Sequence, residues 1–126
     1  MKAERLRKVP LFEGLTDHQY ERLERWTDEI DVPTNKHLVN QGAYPHEFMV
    51  IESGTAEVTH DGTHLADLGP GDFFGEMALL LNVPRTATVA ATSDVTLVVM
   101  HDRNFRAMEE EIPVIAERVN AIMEER

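Results

Sequence analysis

The chain contains no cysteine in its 126 residues. That excludes a disulfide framework, a thiolate zinc site and a cysteine nucleophile. Basic residues are also few, with 12 Lys+Arg against 23 Asp+Glu and a formal net charge of −11. Such an excess of negative charge opposes binding to polynucleotide phosphates and to an anionic membrane surface. Long apolar runs are missing as well. Stretches such as Met77–Leu81 and Leu97–Met100 fall far short of the ~20 residues a bilayer-spanning helix needs. The charged opening MKAERLRKVP has no apolar segment behind it, so no signal peptide is expected and a cytoplasmic location is the default.

What is present suits a globular domain. Hydrophobic residues make up 42% of the chain, enough at this length for one core, and a single domain over residues 1–126 is expected. Glycine is concentrated in the middle third, at positions 42, 54, 62, 69, 71 and 75, with only Gly14 outside it. Turn residues at such gaps suit short strands in a roll or barrel. Phe48–Ile51 and Ala56–Thr59 read as strands separated by Ser53-Gly54, and Asp61-Gly62 is a two-residue hairpin signal between Val58–His60 and Thr63–Leu65. Thr86–Thr92 and Val95–Met100 read as two further strands meeting at Ser93-Asp94.

The flanks are helical in pattern. Thr16 and Gln19 form a capping box, Leu15 and Tyr20 a hydrophobic staple, and Leu23 and Trp26 continue an apolar stripe. Asp102 reads as the N-cap of a helix carrying Phe105 and Met108, and Pro113 as the first turn of a second helix repeating Ile115, Val119 and Ile122.

One segment breaks the β pattern. Between Gly75 and Asn82-Val83-Pro84, the run Met77–Leu81 is helix-prone and should form a single turn. A glycine before such a turn admits a close-approaching ligand, and the unpaired first amides favour an anion. Arg85 follows directly and is the sole Lys or Arg between His37 and Asp102, against nine Asp or Glu. It either pairs with an acid at the surface, contributing little, or serves an anion beside that turn.

The run FGEMALLLNVPRTATV resembles the phosphate-binding cassette of cyclic nucleotide-binding domains, the family of protein kinase A regulatory subunits, cyclic-nucleotide-gated channels and the catabolite activator protein. The matching residues are Phe74-Gly75-Glu76, Ala78-Leu79 and Pro84 through Val89. VPLFEGLTDHQYERL is similar to the family's amino-terminal helical segment, and RNFRAMEEEIPVIAERV to its two carboxy-terminal helices. The resemblance implies a mainly β fold with flanking helices: an antiparallel β-roll of the double-stranded β-helix or jelly-roll type. An N-terminal helical segment, a short cassette helix and two C-terminal helices complete it. It also implies a sensor of cAMP, or alternatively cGMP, that repositions its C-terminal helices. Arg85 would pair with the cyclic phosphodiester, and amides near Gly75, Met77 and Ala78 would donate to it. Glu76 would accept the ribose 2′-hydroxyl. Val58, Leu65 and Ala66 would line the base pocket, and Ile122 or Met123 would close over it. The Thr86 hydroxyl would serve a phosphate oxygen or a guanine amino group, which leaves the two nucleotides open.

Rival readings are less well supplied. A metal-binding barrel would need clustered histidines, yet Asp61-Gly62 as a two-residue turn sends His60 and His64 to opposite faces of the hairpin. No phosphate-loop lysine or nucleophile elbow is present, so no enzyme and no catalytic cofactor are expected. A helix-turn-helix appended to the sensor would need several dozen residues more, so DNA binding is not expected. A degenerate domain acting only in protein interaction remains the alternative. The apolar face of the last helix is a candidate for an effector protein or a second copy.

Overall fold

A computed structural model describes residues 1–76, 79 and 83–125. Helix α1 (Ala3–Leu6), a 3₁₀ turn at Pro10–Phe12 and helix α2 (Asp17–Trp26) precede eight strands. These are β1 (Asp28–Val32), β2 (His37–Val39), β3 (Glu47–Ser53), β4 (Ala56–His60), β5 (Thr63–Leu68), β6 (Phe73–Phe74), β7 (Thr88–Ala91) and β8 (Val95–His101). Helices α3 (Asp102–Glu111) and α4 (Pro113–Glu125) follow. The strands form two antiparallel four-stranded sheets, ordered β1-β8-β3-β6 and β2-β7-β4-β5. This is the antiparallel roll with flanking helices that the sequence resemblance implies.

The two sheets differ in what covers them, and the sequence records the difference. In β3, Phe48 and Val50 join the helix-side core while Met49 and Ile51 face the other sheet. In β8, Val98 and Met100 face the helices and Leu97 and Val99 face inward. Alternate side chains leave a strand on opposite sides, so a sheet covered on both faces needs unbroken apolar runs. The second sheet is covered on one face only, and β7 alternates half-buried and buried residues accordingly. Helices α2, α3 and α4 supply Leu23, Phe105, Met108, Ile115 and Val119 to the outer core. There the Phe105 ring lies 4.7 Å from that of Phe48, centroid to centroid.

Local chemistry explains the element ends. Thr16 Oγ1 accepts from the Gln19 amide and Gln19 Oε1 accepts from the Thr16 amide, closing the expected capping box. Asp61 and Gly62 both have positive φ (50° and 79°), which a type I′ hairpin requires. Gly54, at φ +90°, has no room for a side chain: a Cβ there would lie 2.2 Å from the Asp94 carbonyl oxygen.

Three expectations are corrected. His101, in extended conformation, is the N-cap of α3, because β8 runs directly into the helix; Asp102 is the first helical residue, and its carboxylate accepts from the Arg103 amide. The strand expected over Thr86–Thr92 is limited to β7, leaving Thr86 and Ala87 in the preceding bend. Ile122 is 37% exposed, and Met123 instead packs against the helix-side core, continuing Ile115 and Val119 at four-residue steps. Edge strands β1 and β2 and the short β6 were not anticipated; β1 is acidic and mostly exposed, held by its ladder to β8 rather than by strand propensity. Among the described residues, no helix is long and apolar enough to cross a membrane.

Candidate functional site

A cleft of about 510 Å³ opens on the inner face of the second sheet. Val39, Val58, Leu68 and Val89 form its apolar wall, while Gly75, Glu76, Arg85 and Thr86 make its polar end. Phe74, Leu65 and Ala66 also line it. The expected residues Phe74, Gly75, Glu76, Arg85, Thr86, Val58, Leu65 and Ala66 are thus brought together. Met77 and Ala78 lie outside the described residues, as does most of the expected Met77–Leu81 turn. Ile122 and Met123 are not among the residues lining the cleft.

A β-bulge makes the wall. Thr59 pairs with His64 and Val58 with Ala66, so β5 carries one extra residue, Leu65, between two consecutive steps of β4. Adjacent strand residues ordinarily point to opposite faces, and a bulge lets Leu65 and Ala66 both reach the cleft.

At the polar end, Arg85 is only 7% exposed. Its Nη1 donates to the Gly75 carbonyl at 2.9 Å and its Nη2 to the Glu47 carbonyl. Its own backbone is held too: the Arg85 amide donates to Ala43 O, and the Gly42 amide donates to Arg85 O, both at 2.8 Å. Burial pulls the guanidinium below its ordinary pKa, and the carboxylates of Glu47 and Glu76 oppose that pull. Glu76 is itself buried, at 1% exposure. Gly75 has φ +96°, and a Cβ on it would stand 2.6 Å from Arg85 Nη1 and 2.9 Å from the Glu47 carbonyl oxygen. The backbone comes close there because nothing but hydrogen occupies the space.

The same corner reaches the helices. The Gly75 carbonyl also accepts from the Leu79 amide at 3.3 Å. Leu79 is buried in the helix-side core, and its carbonyl accepts from Arg106 Nη2 of α3 at 3.2 Å.

Chemically, the cleft offers one buried cation, one buried carboxylate and an apolar wall, fitting a small ligand with a single negative charge, a hydroxyl and a flat apolar part. Sequence reasoning missed Val39, Leu68, Phe73, Ala87 and Val89; the period-2 alternation of β4 and β7 would have pointed to Val89 beside Val58. The Glu47 carbonyl carried no sequence signal, since any residue supplies one. His60 and His64 diverge as expected: His60 Nδ1 meets the Thr86 carbonyl, whereas His64 sits between Glu57 and Asp67 at 3.5 and 3.6 Å. Glu57 and Asp67 oppose each other across the ladder, so the His64 ring lies between two like charges on the surface.

A family model described as the cyclic nucleotide-binding domain matches residues 29–111. A cyclic nucleotide-gated potassium channel of Rhizobium etli is 33% identical over 119 residues, 94% of this chain and 33% of its own. A cAMP-dependent protein kinase regulatory subunit of Mycosarcoma maydis is 37% identical over 122 residues, 90% of this chain and 23% of its own. The chain therefore spans a third or less of these relatives' length. Among solved structures, the catabolite activator protein of Thermus thermophilus superposes with a TM-score of 0.80 at 30% identity, over 93% of this chain and 57% of that one.

Proposed function

The chain belongs to the cyclic nucleotide-binding domain family, and on that premise we propose that its cleft binds a cyclic nucleotide, cAMP ahead of cGMP, as a regulatory signal. The observation that carries this reading is the buried Arg85 guanidinium, set against Gly75 and beside the buried Glu76 in an otherwise acidic β-domain. Arg85 pairs with the phosphodiester through its planar fork of donors. Amides near Gly75, Met77 and Ala78 donate to phosphate oxygens, and Glu76 accepts the ribose 2′-hydroxyl. The base lies against Val58, Leu65 and Ala66. Thr86 serves the phosphate or a guanine amino group. Relatives named as cAMP-dependent kinase regulatory subunits favour cAMP, and one named as a cGMP-dependent protein kinase of Toxoplasma gondii keeps cGMP in view.

Domains of this family are regulatory, so the proposed output is movement of helices rather than a reaction. Ligand draws the turn after Gly75 toward Arg85, and the Leu79–Arg106 contact passes that shift to α3 and α4 by changing the populations of two states. Strands β3 and β8 contribute to both cores, which supports reading residues 1–126 as one sensor domain. An effector protein or a second copy on α4 is the proposed partner.

Calorimetric titration with cAMP, cGMP and 2′-deoxy-cAMP tests this reading. Saturable heat with the ribonucleotides and a weaker response to the deoxy analogue are expected. Absence of heat and of thermal stabilisation with all three would instead favour a domain that has lost its ligand and acts only in protein interaction.

A further inference from the structure

The tip of the β4–β5 hairpin grips the segment that carries Arg85. His60 Nδ1 lies 2.8 Å from the Thr86 carbonyl oxygen. Because a carbonyl only accepts, Nδ1 must bear a proton. The other ring nitrogen, Nε2, lies 3.2 Å from the Asp61 carboxylate. Asp61 is tied in turn to the β2–β3 loop: Gln41 Nε2 donates to Asp61 Oδ1 at 2.8 Å, and the Asp61 amide donates to Gln41 Oε1 at 2.9 Å. The Gln41 amide donates to Thr88 Oγ1 at 2.9 Å, and the next residues, Gly42 and Ala43, hold both backbone groups of Arg85. The ring of contacts therefore closes around the Arg85–Thr88 backbone from two loops.

We propose that His60 and Asp61 are positioning residues for the nucleotide site, holding the Arg85–Thr86 backbone in place so that ligand affinity depends on the grip of the hairpin tip. The proposal rests on the cyclic nucleotide reading of the cleft. The charged group facing the His60 ring is Asp61, from its own hairpin; the Arg85 segment presents the uncharged Thr86 carbonyl. Arg85 itself is turned away toward Gly75 and Glu47.

Four proteins test this: the wild type, His60→Ala, His60→Gln and Asp61→Asn. Glutamine keeps an N–H donor for the Thr86 carbonyl, and asparagine suits the same turn and keeps an acceptor for Gln41 Nε2. His60→Ala is expected to bind cAMP about three- to tenfold more weakly than the wild type, while His60→Gln and Asp61→Asn should stay within about twofold of it. Binding by His60→Ala at wild-type strength, or by His60→Gln as weakly as by His60→Ala, overturns the proposal. Amide hydrogen exchange in the ligand-free protein separates this outcome from failure of the functional reading. His60→Ala should speed exchange at the Gly42 and Arg85 amides about three- to tenfold, and unchanged rates overturn the clamp whether or not any nucleotide binds.

Discussion

Gly75 and Arg85 hold each other in place. The carbonyl of Gly75 accepts from the guanidinium, and the missing side chain of Gly75 is the space the guanidinium fills. A Gly75→Ala substitution meets two penalties at once, a left-handed backbone at φ +96° and a methyl group 2.6 Å from Arg85 Nη1. It should destabilise the fold by about 1–3 kcal/mol, read as a lower midpoint in urea unfolding. Because Arg85 must move to make room, cyclic nucleotide binding should weaken as well. Arg85→Leu separates the two roles. It removes a buried cation whose partners in the absence of ligand are backbone carbonyls, and in the proposed binding mode it would deprive the phosphodiester of its counter-charge. The expected loss is roughly 2–5 kcal/mol of binding, a 30- to 4,000-fold weaker dissociation constant by calorimetry. Binding at wild-type strength would remove Arg85 from the site.

At the scale of elements, the link from cleft to helices runs through Leu79. Its amide is tied to Gly75 and its carbonyl to Arg106 of α3, while its side chain is buried with Phe105 and Met108. Arg106→Ala should cost about 1 kcal/mol or less of stability, since the exposed Arg106 loses one part-buried bond to a carbonyl. Its larger effect should be on coupling: ligand-induced changes in amide exchange along α3 should shrink while cAMP affinity changes less than threefold. Undiminished changes in α3 would route the coupling elsewhere. The legibility of these elements follows their physics. The doubly covered β3 and β8 announce themselves as unbroken apolar runs, and the type I′ turn as Asp61-Gly62. The cleft's polar end was legible because a lone Arg85 in an acidic segment needs a reason. The Leu65 bulge was not, because register is decided by pairing with β4, and no residue in Thr63–Leu68 marks it. Nor was the exposure of Ile122 legible, since a three-residue and a four-residue step from Val119 are both helical neighbours; packing chose Met123.

For the whole molecule, the net charge of −11 sets how a ligand arrives rather than how it stays. A cyclic nucleotide carries one negative charge, so in the proposed binding mode it would approach against the summed field and then meet a guanidinium buried at 7% exposure. The two interactions respond differently to salt. The long-range field has a reach of about 30 Å at 0.01 M salt and about 8 Å at 0.15 M, whereas a buried pair is screened far less. Raising ionic strength over that interval should therefore speed association by roughly two- to fivefold and leave dissociation nearly unchanged, tightening binding overall. Stopped-flow measurements with a fluorescent cAMP analogue at several salt concentrations would resolve the two rates. Association that slows with salt would mean that Arg85 governs the potential at the mouth of the cleft, despite nine acids and no other Lys or Arg from His37 to Asp102. Dissociation that quickens with salt would mean that the phosphate sits in solvent-exposed contact rather than against a buried guanidinium.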